Sequence, residues 1–126
     1  MGKMDYEESA QFARDLKKLL KRFRTLEEDL ERAKRFAIEI FHADPRVDTN
    51  AIEQIPGFCT DEILVCKIRK FACGALKGRG AMSGIRIIYV YHVSARKVVF
   101  IEMYFKGDKE NEDQEVLKDY LRKHGA

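Results

Sequence analysis

The chain has no apolar run approaching the roughly 18 residues that a membrane span needs, although 45% of its 126 residues are hydrophobic. Its opening residues, MGKMDYEESAQF, lack the apolar centre of a secretory signal. Tyr6 stands where N-myristoylation wants Ser or Thr. Cysteine is scarce, with only Cys59, Cys66 and Cys73. An odd count argues against a disulfide framework. Their even spacing contains no CxxC pair of the kind that holds zinc. Small buried hydrophobes are the better assignment. Repeats and low-complexity tracts are missing as well. Together these absences point to a cytoplasmic protein with one domain over residues 1–126, able to bury a real but modest core.

What the chain does have is an uneven charge. Its formal net charge is +3. Between Lys67 and Lys109 there are 10 Lys or Arg against 2 acids, and the remainder holds 14 basic and 19 acidic residues. A basic stretch of this kind is the footprint of a polyanionic partner.

Helical spacing comes first along the chain. Phe12, Leu16, Leu19, Leu20 and Phe23 recur on one stripe. Arg24-Thr25 interrupts it, and Thr25 with Glu28 fits a capping box. A second stripe, Leu26, Leu30, Ala33, Ala37, Ile40 and Phe41, stops before Asp44-Pro45. Two helices joined so closely predict an antiparallel helical hairpin. Residues 44–58 read as loop, punctuated by Pro45, Asn50, Pro56 and Gly57.

The pattern then changes to period two. In ILVCKIRKFAC, Leu64, Cys66 and Ile68 share one face, and Val65, Lys67, Arg69 and Phe71 the other. IRIIYVYHV and KVVFIEMYFK predict two further strands, joined through Ser94-Ala95-Arg96. Strict alternation in the last strand puts Val99, Ile101, Met103 and Phe105 on one face. Glu102, Tyr104 and Lys106 then lie beside Val98 and Phe100 on the other. Tyr6 to Ser9 reads as a brief edge strand. Asn111 and Gln114 are candidates to cap a short C-terminal helix with Val116, Leu117, Tyr120 and Leu121 as its apolar side. The order predicts an α+β domain, with the hairpin packed on a small antiparallel sheet.

The glycines in GALKGRGAMSG do not build a nucleotide loop. Such loops open a helix, whereas Gly78, Gly80 and Gly84 lead into a strand. They make a flexible connection that carries Lys77 and Arg79. The strands beyond it gather Lys67, Arg69, Arg86, Tyr104 and Lys106. If they are neighbours, their polar side chains can converge on one patch. That patch suits metal-free phosphoryl transfer within RNA. A base takes the 2′-OH proton, cations hold the phosphate charge, and an acid protonates the leaving oxygen. Guanidinium groups suit the second task. Crowding by cations should lower the pKa of a lysine here, which makes a lysine general base possible, with the identity of base and acid left open. His92 faces the same side as Arg86 and is assigned a structural role. No cofactor and no metal is expected. Lys70, Lys77, Arg79 and Lys109 flank the patch as RNA-binding candidates.

The segments FARDLKKLLKRF, VCKIRK, SGIRIIYVY and FIEMYFKGDKE resemble the RelE/ParE toxin superfamily of type II toxin–antitoxin modules, on its RelE-like mRNA-interferase side. The resemblance runs from about Phe12 to about Leu121. It implies a ribosome-dependent endoribonuclease that cuts mRNA in the A site to a 2′,3′-cyclic phosphate. It also implies a cognate acidic antitoxin that wraps the toxin. By resemblance, Lys67 and Arg69 are the basic pair of the first strand, Arg86 steadies the phosphate, and Tyr104 and Lys106 close the site. Gly107 departs from the pattern, standing where RelE has an arginine, and Lys109 is the nearby replacement. A ParE-type DNA gyrase poison and an inactive RNA- or protein-binding relative are the alternatives.

Overall fold

Runs of β-branched and aromatic residues form the centre of the molecule, because such side chains pack well on a pleated surface. The structure, a computed structural model, describes residues 4–43, 50–76 and 83–124. The strands are β1 (Asp5–Glu8), β2 (Ile52–Gln54), β3 (Ile63–Ile68), β4 (Ile85–His92) and β5 (Lys97–Phe105). They form one five-stranded sheet in the order β1-β5-β4-β3-β2. β2 to β5 run antiparallel, but β1 pairs parallel with β5. The sheet is therefore mixed, not antiparallel throughout. A parallel pair needs a long crossover, and nearly the whole chain lies between these two strands. β2 falls inside the stretch expected to be loop. Three residues, two of them exposed, leave no alternation to detect.

The helices are α1 (Ala10–Leu20), α2 (Leu26–Ala33), α3 (Glu39–Ala43) and α4 (Gln114–His124), with a π-helical segment, Lys34–Ile38, joining α2 to α3. Ser9 caps α1: its hydroxyl accepts from the Phe12 N–H at 3.1 Å and donates to the Ile101 carbonyl at 3.0 Å. Thr25 does not close the expected capping box. Its hydroxyl instead donates to Asp29 at 2.7 Å and accepts from the Ala75 N–H at 2.8 Å. The π segment inserts an extra residue into the helical repeat. Its effect is visible in the stripe: Ile38 is fully buried, whereas Ile40, expected on the apolar face, is 36% exposed and Phe36 is 65% exposed.

Both faces of the sheet are covered. α1, α2 and the π segment lie on one face, where Phe12, Leu19, Leu26, Leu30 and Ile38 meet Cys66, Ile68, Ile87, Tyr89 and Phe100. α4 lies on the other, where Leu117, Val116, Tyr120 and Leu121 meet Val65, Ile88, Val90, Val99 and Ile101. Asp113, not Asn111 or Gln114, supplies the carboxylate at the start of α4, accepting from the Glu115 N–H at 3.0 Å. His92 anchors the helix through a 2.7 Å bond to the Tyr120 hydroxyl.

β5 does not keep strict alternation. Ile88 pairs with Glu102 and Tyr89 with Phe100, so Ile101 is an unpaired extra residue, a β-bulge. Ahead of the bulge, Val99 and Ile101 face α4. Beyond it, Met103 and Phe105 join Val98 and Phe100 on the opposite side. Glu102 and Tyr104 consequently share a face with Val99 and Ile101, not with Val98 and Phe100. The turn from β4 to β5 closes with Arg96 at φ 51°, the left-handed region that glycine usually fills. Among the described residues no helix is long and apolar enough to cross a membrane.

Candidate functional site

The site is built on the α4 face, at the end of the β3-β4-β5 ladder. Three strands supply it. In the register, Arg86 pairs with Tyr104, and Lys67 pairs with Ile88, two residues along β4 from Arg86. Because every second residue of a strand shares a face, Lys67, Arg86 and Tyr104 come to one surface. The Lys67 ammonium lies over the Tyr104 ring, 5.9 Å from its centroid, and the Lys109 ammonium lies 5.5 Å from the same centroid. Such cation–π contacts bring positive charge to an aromatic platform.

Two carboxylates hold these cations. Lys67 Nζ lies 2.9 Å from Glu112 Oε1, with 16% and 14% of the two side chains exposed. The Tyr104 hydroxyl donates to the same Glu112 oxygen at 3.5 Å. Lys109 pairs with Glu102, whose side chain is 4% exposed. Glu102 also accepts from the Asp113 N–H at 2.9 Å. Neither glutamate is picked out by the sequence pattern: Glu102 alternates in its strand like any other polar residue, and Glu112 lies beyond the basic stretch that ends at Lys109. The signal lies just after it, where charge reverses in ENEDQE, residues 110–115.

The protonation states follow from these contacts. Burial pulls the Lys67 pKa down, but its bonds to Glu112 and Tyr104 outweigh that, and the value rises above the ordinary lysine value. The expected drop by crowding among cations does not occur. Lys67 stays charged and cannot serve as a general base at neutral pH; it can hold negative charge. Burial raises the Tyr104 pKa despite the neighbouring Lys67, so the phenol keeps its proton. Burial also raises the Glu102 carboxyl, against the pull of Lys109. Glu112 goes the other way: burial pushes it up, but the bond from Lys67 brings it below the ordinary value.

The remaining expected residues sit nearby. Arg86 is half-buried, and its guanidinium donates to the Ile85 carbonyl at 3.3 Å. Arg69 follows the end of β3 and pairs at 3.5 Å with Glu53 of β2, which is the register partner of Lys67. Lys70 and Lys106 are exposed, without side-chain partners among the described residues. The Lys106 N–H donates to the Gly84 carbonyl at 2.8 Å, which sets it at the same end of the ladder as Arg86. Lys77 and Arg79 lie outside the described residues. Gly107 has a local reason: a Cβ there would come within 2.5 Å of the Phe105 ring. That ring also carries the Arg22 guanidinium, 5.2 Å from its centroid.

Among the described residues no group of three or more His, Cys, Asp or Glu could hold a metal ion. A cleft of about 620 Å³ lies elsewhere, between β1, the first turn of α1 and α4. Two ion pairs lie within it, Lys97 with Glu7 at 2.7 Å and Lys123 with Asp119 at 3.3 Å. Arg86 and Lys106, which have no acidic partner among the described residues, and the aromatic platform make the Lys67–Tyr104 surface the better candidate.

No family model and no curated protein matches the chain. Among solved structures the chain is similar to one from the archaeal RelE–RelB complex of Pyrococcus horikoshii OT3, with 12% identity, 82% of this chain and 96% of that chain covered, and a TM-score of 0.48. Likeness at that level leaves function to the residues themselves.

Proposed function

We propose that this chain is a RelE-like toxin of a type II toxin–antitoxin module, an endoribonuclease that cuts mRNA in the ribosomal A site without a metal. The observation that supports this is the meeting of Lys67, Arg86 and Tyr104 on one face of three hydrogen-bonded strands, with Lys109 against the same ring. The motif resemblance adds the substrate, the cytoplasmic setting and the helical-hairpin geometry of α1 and α2.

In this mechanism the 2′-oxygen of the ribose attacks the adjacent phosphorus. The bond to the 5′-oxygen breaks as the 2′-hydroxyl gives up a proton to solvent and the 5′-oxygen takes one from it, leaving a 2′,3′-cyclic phosphate and a 5′-hydroxyl. Negative charge grows on the phosphate oxygens, and preorganised donors lower that barrier most. Arg86 offers a planar fork to two of those oxygens, and Lys67, held protonated, adds a point charge. The Tyr104 ring gives a base a surface to stack on. Lys70, Lys106 and Lys109 extend the grip along the backbone. An acidic antitoxin would cover the same cations, and displacement of α4 from the sheet would remove the Glu112 segment with it.

Expression of the chain in bacteria, with mapping of RNA 5′ ends, tests the proposal. Growth arrest with 5′-hydroxyl ends confined to translated messages is expected, and Arg86→Ala or Lys67→Ala should relieve it while leaving a folded protein. Full toxicity in both variants, or an SOS response with intact mRNA as a gyrase poison would give, would overturn it.

A further inference from the structure

We infer that Glu112 is an internal counter-ion that occupies the phosphate position of the cationic site and must be displaced before RNA can bind there. The inference rests on the nuclease reading above and concerns the regulation of that same surface. The connection from β5 to α4 carries four acids, Asp108, Glu110, Glu112 and Asp113. Glu112 is the member that reaches Lys67, at 2.9 Å, and it also takes the Tyr104 hydroxyl at 3.5 Å. A phosphate oxygen approaching Lys67 would need the same donor.

The backbone that presents Glu112 is fixed on both sides. Glu102, buried in the sheet, binds the next N–H, that of Asp113, at 2.9 Å and holds Lys109 by an ion pair. The Phe105 carbonyl takes the Asp108 and Lys109 N–H groups at 2.9 and 3.1 Å. Arg22 holds the Asp108 carboxylate at 2.5 Å. Glu112 therefore enters the site by construction of the loop. A catalytic role for it is less consistent, because a general base works best with a pKa near the working pH. Its bond to Lys67 moves it the other way. One carboxylate can block one cation, yet a polyanion outcompetes it by engaging Lys106, Lys109 and Arg86 together. The device sets a threshold that short or isolated phosphates do not cross.

The test is binding of a fluorescein-labelled 12-nucleotide single-stranded RNA, 2′-O-methylated so that it cannot be cut, to the full chain. Glu112→Gln keeps a carbonyl for Lys67 but removes the charge. It should bind about tenfold tighter with little change in salt slope, since Lys67 meets a phosphate in both complexes. Glu110→Gln makes the same change in net charge at an exposed residue and should match wild type. In a Lys67→Ala background the gain from Glu112→Gln should vanish. Equal effects of Glu110→Gln and Glu112→Gln, weaker binding by Glu112→Gln, or a gain that survives Lys67→Ala would each overturn the inference. If Lys67→Ala weakens binding but Glu112→Gln does not strengthen it, the counter-ion role alone fails. If neither variant changes binding, the RNA surface fails with it. Thermal melts confirm that each variant is folded.

Discussion

Arg86 and Tyr104 face each other as direct register partners across β4 and β5, so a guanidinium and a phenol share the rim of one surface. Tyr104 works there chiefly through its ring, since its hydroxyl bond to Glu112 is long at 3.5 Å. Tyr104→Phe should keep RNA affinity within about twofold. Tyr104→Ala should weaken it about tenfold or more, because stacking a base on an aromatic ring contributes about 1–3 kcal/mol. Fluorescence anisotropy on the uncleavable RNA reads both.

Gly84 leads the chain into β4 two residues before Arg86. Its φ is 85°, and an added Cβ would lie 3.1 Å from the Phe105 ring. Gly84→Ala should cost about 1–2 kcal/mol for the left-handed backbone alone. Urea denaturation will show this, and RNA affinity should fall with it because Arg86 shifts.

Asp29 is buried under the start of the glycine-rich connection. Its carboxylate accepts from the Gly74 N–H at 3.1 Å and from the Thr25 hydroxyl at 2.7 Å, and pairs with Arg32. Asp29→Ala leaves these donors without an acceptor, at a cost of about 2–4 kcal/mol for a buried network. Asp29→Asn, which keeps one acceptor, should cost less. Hydrogen exchange at Gly74 and Ala75 should quicken in the alanine variant before the rest of the sheet responds.

The Tyr89 hydroxyl lies 2.8 Å from His42 Nε2, and His42 stacks on Tyr91 at 4.1 Å. Burial lowers the His42 pKa from 6.5 to about 4. The unfolded chain therefore binds more protons than the folded one as pH falls below about 6.5. Stability is fully present above that pH and declines toward pH 4. Burial, followed by the charges of Lys97 and His124, lowers His92 in the same direction. Between pH 7 and pH 5 the loss from His42 should be about 1–2 kcal/mol. His42→Gln should flatten most of that slope in urea titrations at each pH, leaving the His92 share.

The main elements are legible because period and composition agree along them. Phe12 to Leu20 can only be a helix with one apolar stripe, which Phe23 continues from the turn beyond it, and IRIIYVYHV can only be a strand. What escapes is any shift of phase inside an element. Ile38 replaces Ile40 on the core side because a π turn intervenes, and no residue type marks that turn. Ile101 is spare in β5, but with Val99 and Met103 on either side it looks like one more alternating hydrophobe. β2 is too short to carry a pattern. At the site, side-chain type identifies Lys67, Arg86 and Tyr104, since cations and an aromatic at strand spacing stand out. Their counter-ions do not. Glu102 reads as an ordinary strand acid and Glu112 as loop, and only folding brings them to the lysines. The sign of the Lys67 shift follows from Glu112 and Tyr104, so reasoning from the cations alone reverses it.

The spare residue in β5 makes indel tolerance in this strand a matter of one position. A chain lacking Ile101 would retain both faces and gain an unbroken ladder with β4. Losing Phe100 or Glu102 instead would also close the ladder, but Ile101 would then have to fill the place of a buried ring or of the carboxylate that holds Lys109. Natural length variation here should therefore cluster at that single seam.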